Sequence, residues 1–194
     1  PLCDAIIQAY LPGDQGGAAL AELMSGNADF TGRLPYTYPR YDGVIEFYDH
    51  PRSVDRAKSG DFSAYNPQWD FGFGLSYRSA SISGMRFDVK DQQKGTFNIQ
   101  VNVHNPHDQA VTTVVPIYLS DLYASTTPEN KRLIGFNKVA LRPGENKTLE
   151  FTFDATTLKR ISVDGKWRAE KGTFEIICGQ EKLVFELDND INFD

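Results

Sequence analysis

Phe97-Asn98-Ile99-Gln100-Val101-Asn102-Val103 sets four apolar side chains at every second position with amides between them. On an extended backbone this spacing turns Phe97, Ile99, Val101 and Val103 to one face and Asn98, Gln100 and Asn102 to the other. That is the pattern of a half-buried antiparallel strand, one face on a core and one in water. Outward from it, residues 82–89, 111–119, 132–141, 147–153, 167–171, 173–178 and 183–187 also favour strand. Turn chemistry separates these runs at Asn105-Pro106-His107-Asp108, at Arg142-Pro143-Gly144-Glu145-Asn146 and at Asp164-Gly165. Short strands at regular spacing predict an immunoglobulin-like β-sandwich over residues 77–194.

Just upstream stands Gln68-Trp69-Asp70-Phe71-Gly72-Phe73-Gly74-Leu75-Ser76-Tyr77. Its period of two predicts that Trp69, Phe71 and Phe73 share one face of an extended strap. Gly72 and Gly74 leave the other face bare, so another backbone is expected to approach there. Asp70-Phe71-Gly72 spells a magnesium-binding tripeptide of protein kinases, but the HRD and glycine-rich loops that give it meaning are missing. Residues 40–76 read as an irregular linker whose Tyr41, Phe47, Tyr48, Phe62 and Tyr65 adhere to a surface. Its polar middle, residues 53–60, is expected to be its most mobile part. His50, with no carboxylate partner evident nearby, is expected to be a solvent-exposed loop histidine rather than a proton carrier or sugar contact.

The first 39 residues follow a different pattern. Ala5-Ile6-Ile7-Gln8-Ala9-Tyr10-Leu11 is apolar on both alternating faces, as in a strand covered on both sides. Pro12-Gly13 stops it, and Leu20, Leu23 and Met24 then fall at helical spacing with Gly26 placed to end a helix. The turn between them has neither phosphate-loop motif, and Asp14 would repel a phosphate. One strand and one helix make no core, so residues 1–39 read as the end of an α/β domain that begins upstream.

Composition narrows the function classes. A net charge of −6 with scattered Lys and Arg argues against nucleic acid as a partner. No apolar run reaches the length of a membrane span, and no signal-peptide pattern opens the sequence. Cys3 and Cys178 cannot make a disulfide framework and lack metal-ligand spacing; both read as plain thiols, Cys178 in a buried strand. His104, His107 and Asp108 are explained by the turn between two strands, and no further ligand has metal spacing. Asp188-Asn189-Asp190-Ile191-Asn192-Phe193-Asp194 lacks the Gly and Glu of a calcium loop and reads as an acidic tail. Asn146-Lys147-Thr148 is a glycosylation sequon, meaningful only in a eukaryotic secretory route.

Several of these stretches resemble glycoside hydrolase family 3. Leu11-Pro12-Gly13-Asp14-Gln15-Gly16-Gly17, residues 18–26 and Thr31-Gly32-Arg33-Leu34-Pro35 with Thr37 and Pro39 resemble the run near the end of that family's α/β sandwich domain. Phe71-Gly72-Phe73-Gly74-Leu75-Ser76-Tyr77 resembles its "PFGYGLSYT", which leads into a fibronectin type III-like domain. Within the sandwich, Leu133-Ile134-Gly135-Phe136-Asn137-Lys138-Val139 is similar to its "LKGFKKV", and Leu141-Arg142-Pro143-Gly144-Glu145 to its "LxPGE". Gln15 departs from the usual Glu of the glycine turn, and Asp70 from a frequent Pro. The resemblance implies the C-terminal part of a β-glucosidase-like enzyme acting on β-linked glucosides or oligosaccharides, periplasmic or secreted, with no cofactor. It also implies that the catalytic Asp and Glu lie upstream of residue 1, so no catalytic or metal residue is assigned here and the substrate-binding residues are unknown. A non-catalytic carbohydrate-binding or adhesion module is the alternative. Self-association through residues 5–11, or disorder before Pro35, is the expectation for the chain by itself.

Overall fold

Alternating apolar residues become strands only where a neighbour takes up their N–H and C=O groups, and after residue 80 nearly every such run has one. The computed structural model describes residues 3–48, 50–51, 65–91 and 95–193. Expectations for Phe62, residues 53–60 and Asp194 fall outside these. Among the described residues there is one α-helix, α1 (Gly16–Ser25), and ten strands. They are β1 (Ser81–Asp91), β2 (Thr96–His104), β3 (Val111–Asp121), β4 (Arg132–Leu141), β5 (Asn146–Phe153), β6 (Arg160–Ile161), β7 (Trp167–Ala169), β8 (Gly172–Cys178), β9 (Glu181–Leu187) and β10 (Ile191–Asn192).

The strands form two packed antiparallel sheets, β1-β2-β5 and β4-β3-β8-β9, and a small third sheet, β10-β7-β6. As the alternation requires, Phe97, Ile99, Val101 and Val103 are buried, facing Val115, Ile117, Leu119, Phe174 and Ile176 of the opposite sheet in one core cluster. Polar side chains pair across the outer face: Gln100 donates to Glu150 at 2.6 Å and Thr148 to Asn102 at 2.8 Å. Phe87 stacks on Phe185 at 4.5 Å and Phe185 on Phe174 at 5.4 Å, joining the two sheets. The turn at 105–108 is fixed by Asn105, fully buried, whose amide donates to Gln109 O at 2.8 Å and Arg142 O at 2.9 Å. Its Oδ1 accepts from His107 N at 3.0 Å, which gives the turn residues a structural role.

Three expectations are corrected. Residues 5–11 form no strand; without a neighbouring strand they expose Ile6 and Leu11, and Tyr10 has φ 52°. Residues 188–193 are not a free acidic tail: β10 pairs with β7, Ile191 and Phe193 pack on the core, and Asp190 accepts from Lys171 N at 2.8 Å. The strand predicted over 167–171 stops at Ala169, because Glu170 turns to a cluster of polar groups. Helix α1 follows its expected spacing and ends on Gly26 at φ 78°, while Gln15, at its N-cap, gives no side-chain cap. Cys178 is buried in β8, where burial, with Glu181 adding to it, pushes the thiol up to about 12.

Glu170 ties the loop after β3 to the third sheet. Its carboxylate accepts from Ser125 N at 2.8 Å, Ser125 Oγ at 2.5 Å and Ser162 Oγ at 2.5 Å. Burial opposes ionisation, but these donors outweigh it and, with Arg160 nearby, hold the carboxyl down at about 2. A carboxyl depressed on folding stabilises above its unfolded value, near 4.5, and loses that contribution as pH falls toward 2. Glu170→Gln should therefore cost about 1–2 kcal/mol at pH 7. The gap from the parent should narrow steadily below pH 4.5 and close only as pH falls through about 2, as measured by urea unfolding at a series of pH values.

Candidate functional site

Gly72 and Gly74 mark where the chain crosses itself. Residues 34–38 run antiparallel to residues 68–73: Leu34 N donates to Phe73 O, Gly72 N to Leu34 O and Tyr38 N to Trp69 O, each at 2.8 Å. An added Cβ at Gly74 would stand 2.6 Å from Gly32 O, and one at Gly72, where φ is +84°, would collide with the Tyr118 hydroxyl. The close approach expected of the bare positions is present at both, by backbone at Gly74 and by a side chain at Gly72.

The three strap rings do not share a face, contrary to their period. Phe71 and Gly72 form a turn, closed by Phe73 N donating to Asp70 O at 3.0 Å, and the turn breaks the alternation. Trp69 and Phe73 stack at 6.2 Å, and Tyr38 meets Trp69 edge-on at 5.1 Å. Tyr36 and Tyr10 continue this row, at 6.0 Å from Tyr38 to Tyr36 and 6.4 Å from Tyr36 to Tyr10. Phe71 instead packs between Tyr48, at 4.9 Å, and Tyr118 of β3, at 6.0 Å. A bulge positions Tyr118: Ile117 pairs with Gly135 and Tyr118 with Leu133, so β4 has Ile134 as an extra residue. Beyond it, residues 117–121 are all buried, with Ile117 and Leu119 in the core cluster and Tyr118 against the strap.

Asp29 closes the joint. Its Oδ1 accepts from Phe30 N and Tyr77 N, both at 2.7 Å, and its Oδ2 from Arg78 N at 2.9 Å. The Arg78 guanidinium lies 3.8 Å from the same carboxylate and reaches Gln109 of the sandwich at 2.8 Å. Ser76 Oγ donates to Phe30 O at 2.5 Å and accepts from Arg33 at 3.3 Å. Tyr77 donates to Leu23 O at 3.0 Å, so the last turn of α1 hangs on the same junction. Burial lowers the Arg33 guanidinium from its ordinary value, with Asp29 and Tyr118 working against that shift. Composition and periodicity gave no sign of Asp29, since it lies in a loop and its partners are 48 and 49 residues away.

His50 is not a solvent-exposed loop residue. It is buried, stacked on Tyr65 with centroids 3.5 Å apart, and its carbonyl accepts from Asn130 N at 2.8 Å. Pro51 bridges to Glu129, which places this part of the linker against the loop after β3. Tyr65 donates to Asp70 at 2.5 Å; burial first and that hydrogen bond second push its phenol up, so it keeps its proton. Among the described residues no group of three or more His, Cys, Asp or Glu is arranged to hold a metal ion. No helix among them is long and apolar enough to cross a membrane.

Residues 1–77, which hold α1 and most of this joint, match the glycosyl hydrolase family 3 C-terminal domain. Residues 113–182 match the fibronectin type III-like domain. The chain belongs to the C-terminal region of glycosyl hydrolase family 3. It is 34% identical to a periplasmic beta-glucosidase of Salmonella typhimurium, over 91% of this chain and 24% of that protein. A lysosomal beta glucosidase of Dictyostelium discoideum is 35% identical over 95% of this chain and 23% of its own length. The fold matches that of a β-glucosidase from Erythrobacter marinus with a TM-score of 0.82 and 31% identity, covering 95% of this chain and 25% of that one. A β-glucosidase mutant from Listeria innocua, in complex with laminaribiose, matches at 0.81 and 26% identity, over 94% and 27%. The chain thus spans about a quarter of the length of the curated relatives it matches.

In this family region the two carboxylates of the joint are engaged in holding backbone and phenol groups, Asp29 by three N–H donors and Asp70 by Tyr65. Through Asp29 the residues that open the sandwich, Tyr77 and Arg78, are hydrogen-bonded to the segment before it. Asp29→Ala leaves partly buried N–H groups without their acceptor and should destabilise by about 2 kcal/mol. Asp14→Ala, at an exposed turn, should stay within about 0.5 kcal/mol; chemical denaturation compares the two. Phe71 is only partly buried, so Phe71→Ala should cost about 2–3 kcal/mol, at the lower end for a large ring. A loss below about 1 kcal/mol in the same measurement would show that the ring is not an anchor.

Proposed function

We propose that this chain is the C-terminal, structural part of a retaining, exo-acting β-glucosidase-like glycoside hydrolase, and that it has no complete active site of its own. The observation that carries the reading is the joint, in which Asp29 takes hydrogen bonds from Tyr77 N and Arg78 N at the entrance to the sandwich. Such a clamp fixes the angle of one unit on another and moves no proton. The division that goes with it is an α/β sandwich remnant over residues 1–39, a linker strap over 40–76 and a fibronectin type III-like sandwich over 77–194. Residues 1–77 match the family's C-terminal domain, and relatives about four times as long are called β-glucosidases.

Retention of configuration needs two carboxyl groups about 5–5.5 Å apart across the scissile bond. In this reading that pair belongs to parts of the enzyme outside the matched regions, and so do the loops that choose the sugar. The whole enzyme acts on β-linked glucosides or oligosaccharides in a periplasmic or secreted setting, as the names of the relatives suggest. The exposed Ile6, Ile7, Tyr10 and Leu11 then face the rest of the α/β domain. In the chain by itself the same surface drives self-association.

The purified chain should release no aryl alcohol from an aryl β-glucoside above the blank, and it should elute larger than a monomer on size-exclusion chromatography. Turnover that survives further purification would overturn the proposed division of labour. A monodisperse monomer would overturn the role given to residues 5–11.

A further inference from the structure

The third sheet presents a face that the joint does not use. Ile161 of β6 stands opposite Trp167 of β7. Phe193 continues the row, since its N donates to Trp167 O at 3.1 Å just beyond the Asn192–Arg168 pair. Ile161 is 52% exposed and Trp167 47%, while Ala169, two residues further along β7 on the same face, is fully buried. The face therefore runs from the core out to an open rim, where Ile161 and Trp167 are exposed in line and Phe193, partly buried against the core, ends the row. Adjacent strands lie about 4.8 Å apart, so the row is about 10 Å long, comparable with two linked pyranose rings. Lys159 lies over it, with Nζ 5.1 Å from the Trp167 ring centroid and 6.0 Å from that of Phe193.

Charge separates the two faces of this sheet. On the polar face Arg160 pairs with Asp121 at 3.3 Å and Arg168 with Asp164 at 3.1 Å. On the apolar face the ammonium of Lys159 sits against the rings of Trp167 and Phe193, while Lys166, exposed, stands in the turn before β7. Residues 158–168 contain four cations and one acid in a chain of net charge −6, a local reversal of sign. We infer that this face binds an acidic polysaccharide. A pyranose ring packs its C–H face on the exposed part of Trp167 beside Lys159, Ile161 extends the platform to the next sugar, and a uronate carboxylate meets Lys159. A membrane surface is the less fitting partner, because these side chains come from three paired strands of a sheet rather than from a projecting loop tip.

Affinity electrophoresis of the purified chain in gels containing polygalacturonate tests the inference, with laminarin as the neutral polymer and phosphatidylserine vesicles in a parallel flotation assay. Polygalacturonate should retard the chain, more at low salt than at high, and laminarin should retard it less. Trp167→Ala and Lys159→Glu should each weaken retardation at least tenfold at an unchanged melting temperature, and Trp69→Phe should not. Any of four results overturns the inference: no retardation of the parent, equal retardation of the Trp167 and Lys159 variants, loss with Trp69→Phe instead, or flotation that depends on Trp167 and Lys159. If Trp167→Ala lowers the melting temperature, Lys159→Glu alone decides.

Discussion

Two backbones meet at Gly32 and Gly74 with no side chain between them, and the architecture before the sandwich depends on that contact. Because it is so close, residues 34–38 can exchange hydrogen bonds with residues 68–73 as if in a short ladder. The ladder holds residues 29–30 beside residues 76–78, where one carboxylate collects three N–H groups. It also aims Phe71 at Tyr118. A side chain at residue 74 would push the two segments apart and loosen these long-range contacts together, since the partners of Tyr77 N, Arg78 N and Phe71 lie more than 40 residues away.

The sandwich was legible because each strand carries its own instruction. Alternation in Phe97 to Val103 decides which face is buried whatever the neighbour is, and the predicted run 132–141 coincides with β4 (Arg132–Leu141). What was not legible depends on partners far away. Asp29 and His50 occupy loops with no periodic pattern, and their roles come from residues about 50 and 80 positions distant. Residues 5–11 carry a strand pattern, yet a pattern without a neighbour yields exposed chain. The acidic composition of residues 188–193 hid Ile191 and Phe193, two apolar residues that decide its fate by packing on the core. Family resemblance located the chain correctly because its motifs are the turns and glycines that such long-range contacts require.

Strand β3 shows how one bulge divides labour along a single strand. Before it, side chains alternate between core and outside; after it, both sides are buried. The second side is covered by Phe71 and by the loop whose Asn130 carbonyl accepts from Ser120. The extra residue in β4 thus converts an ordinary sheet face into a seat for the linker.

That seat changes where the molecule can be divided. Separating the chain at residue 77 would uncover Tyr118, a large ring in the middle of a sheet, and strip the Asp29 acceptor from Tyr77 and Arg78. A division before residue 29 would instead keep the clamp, the strap and the strand beneath it together as one piece.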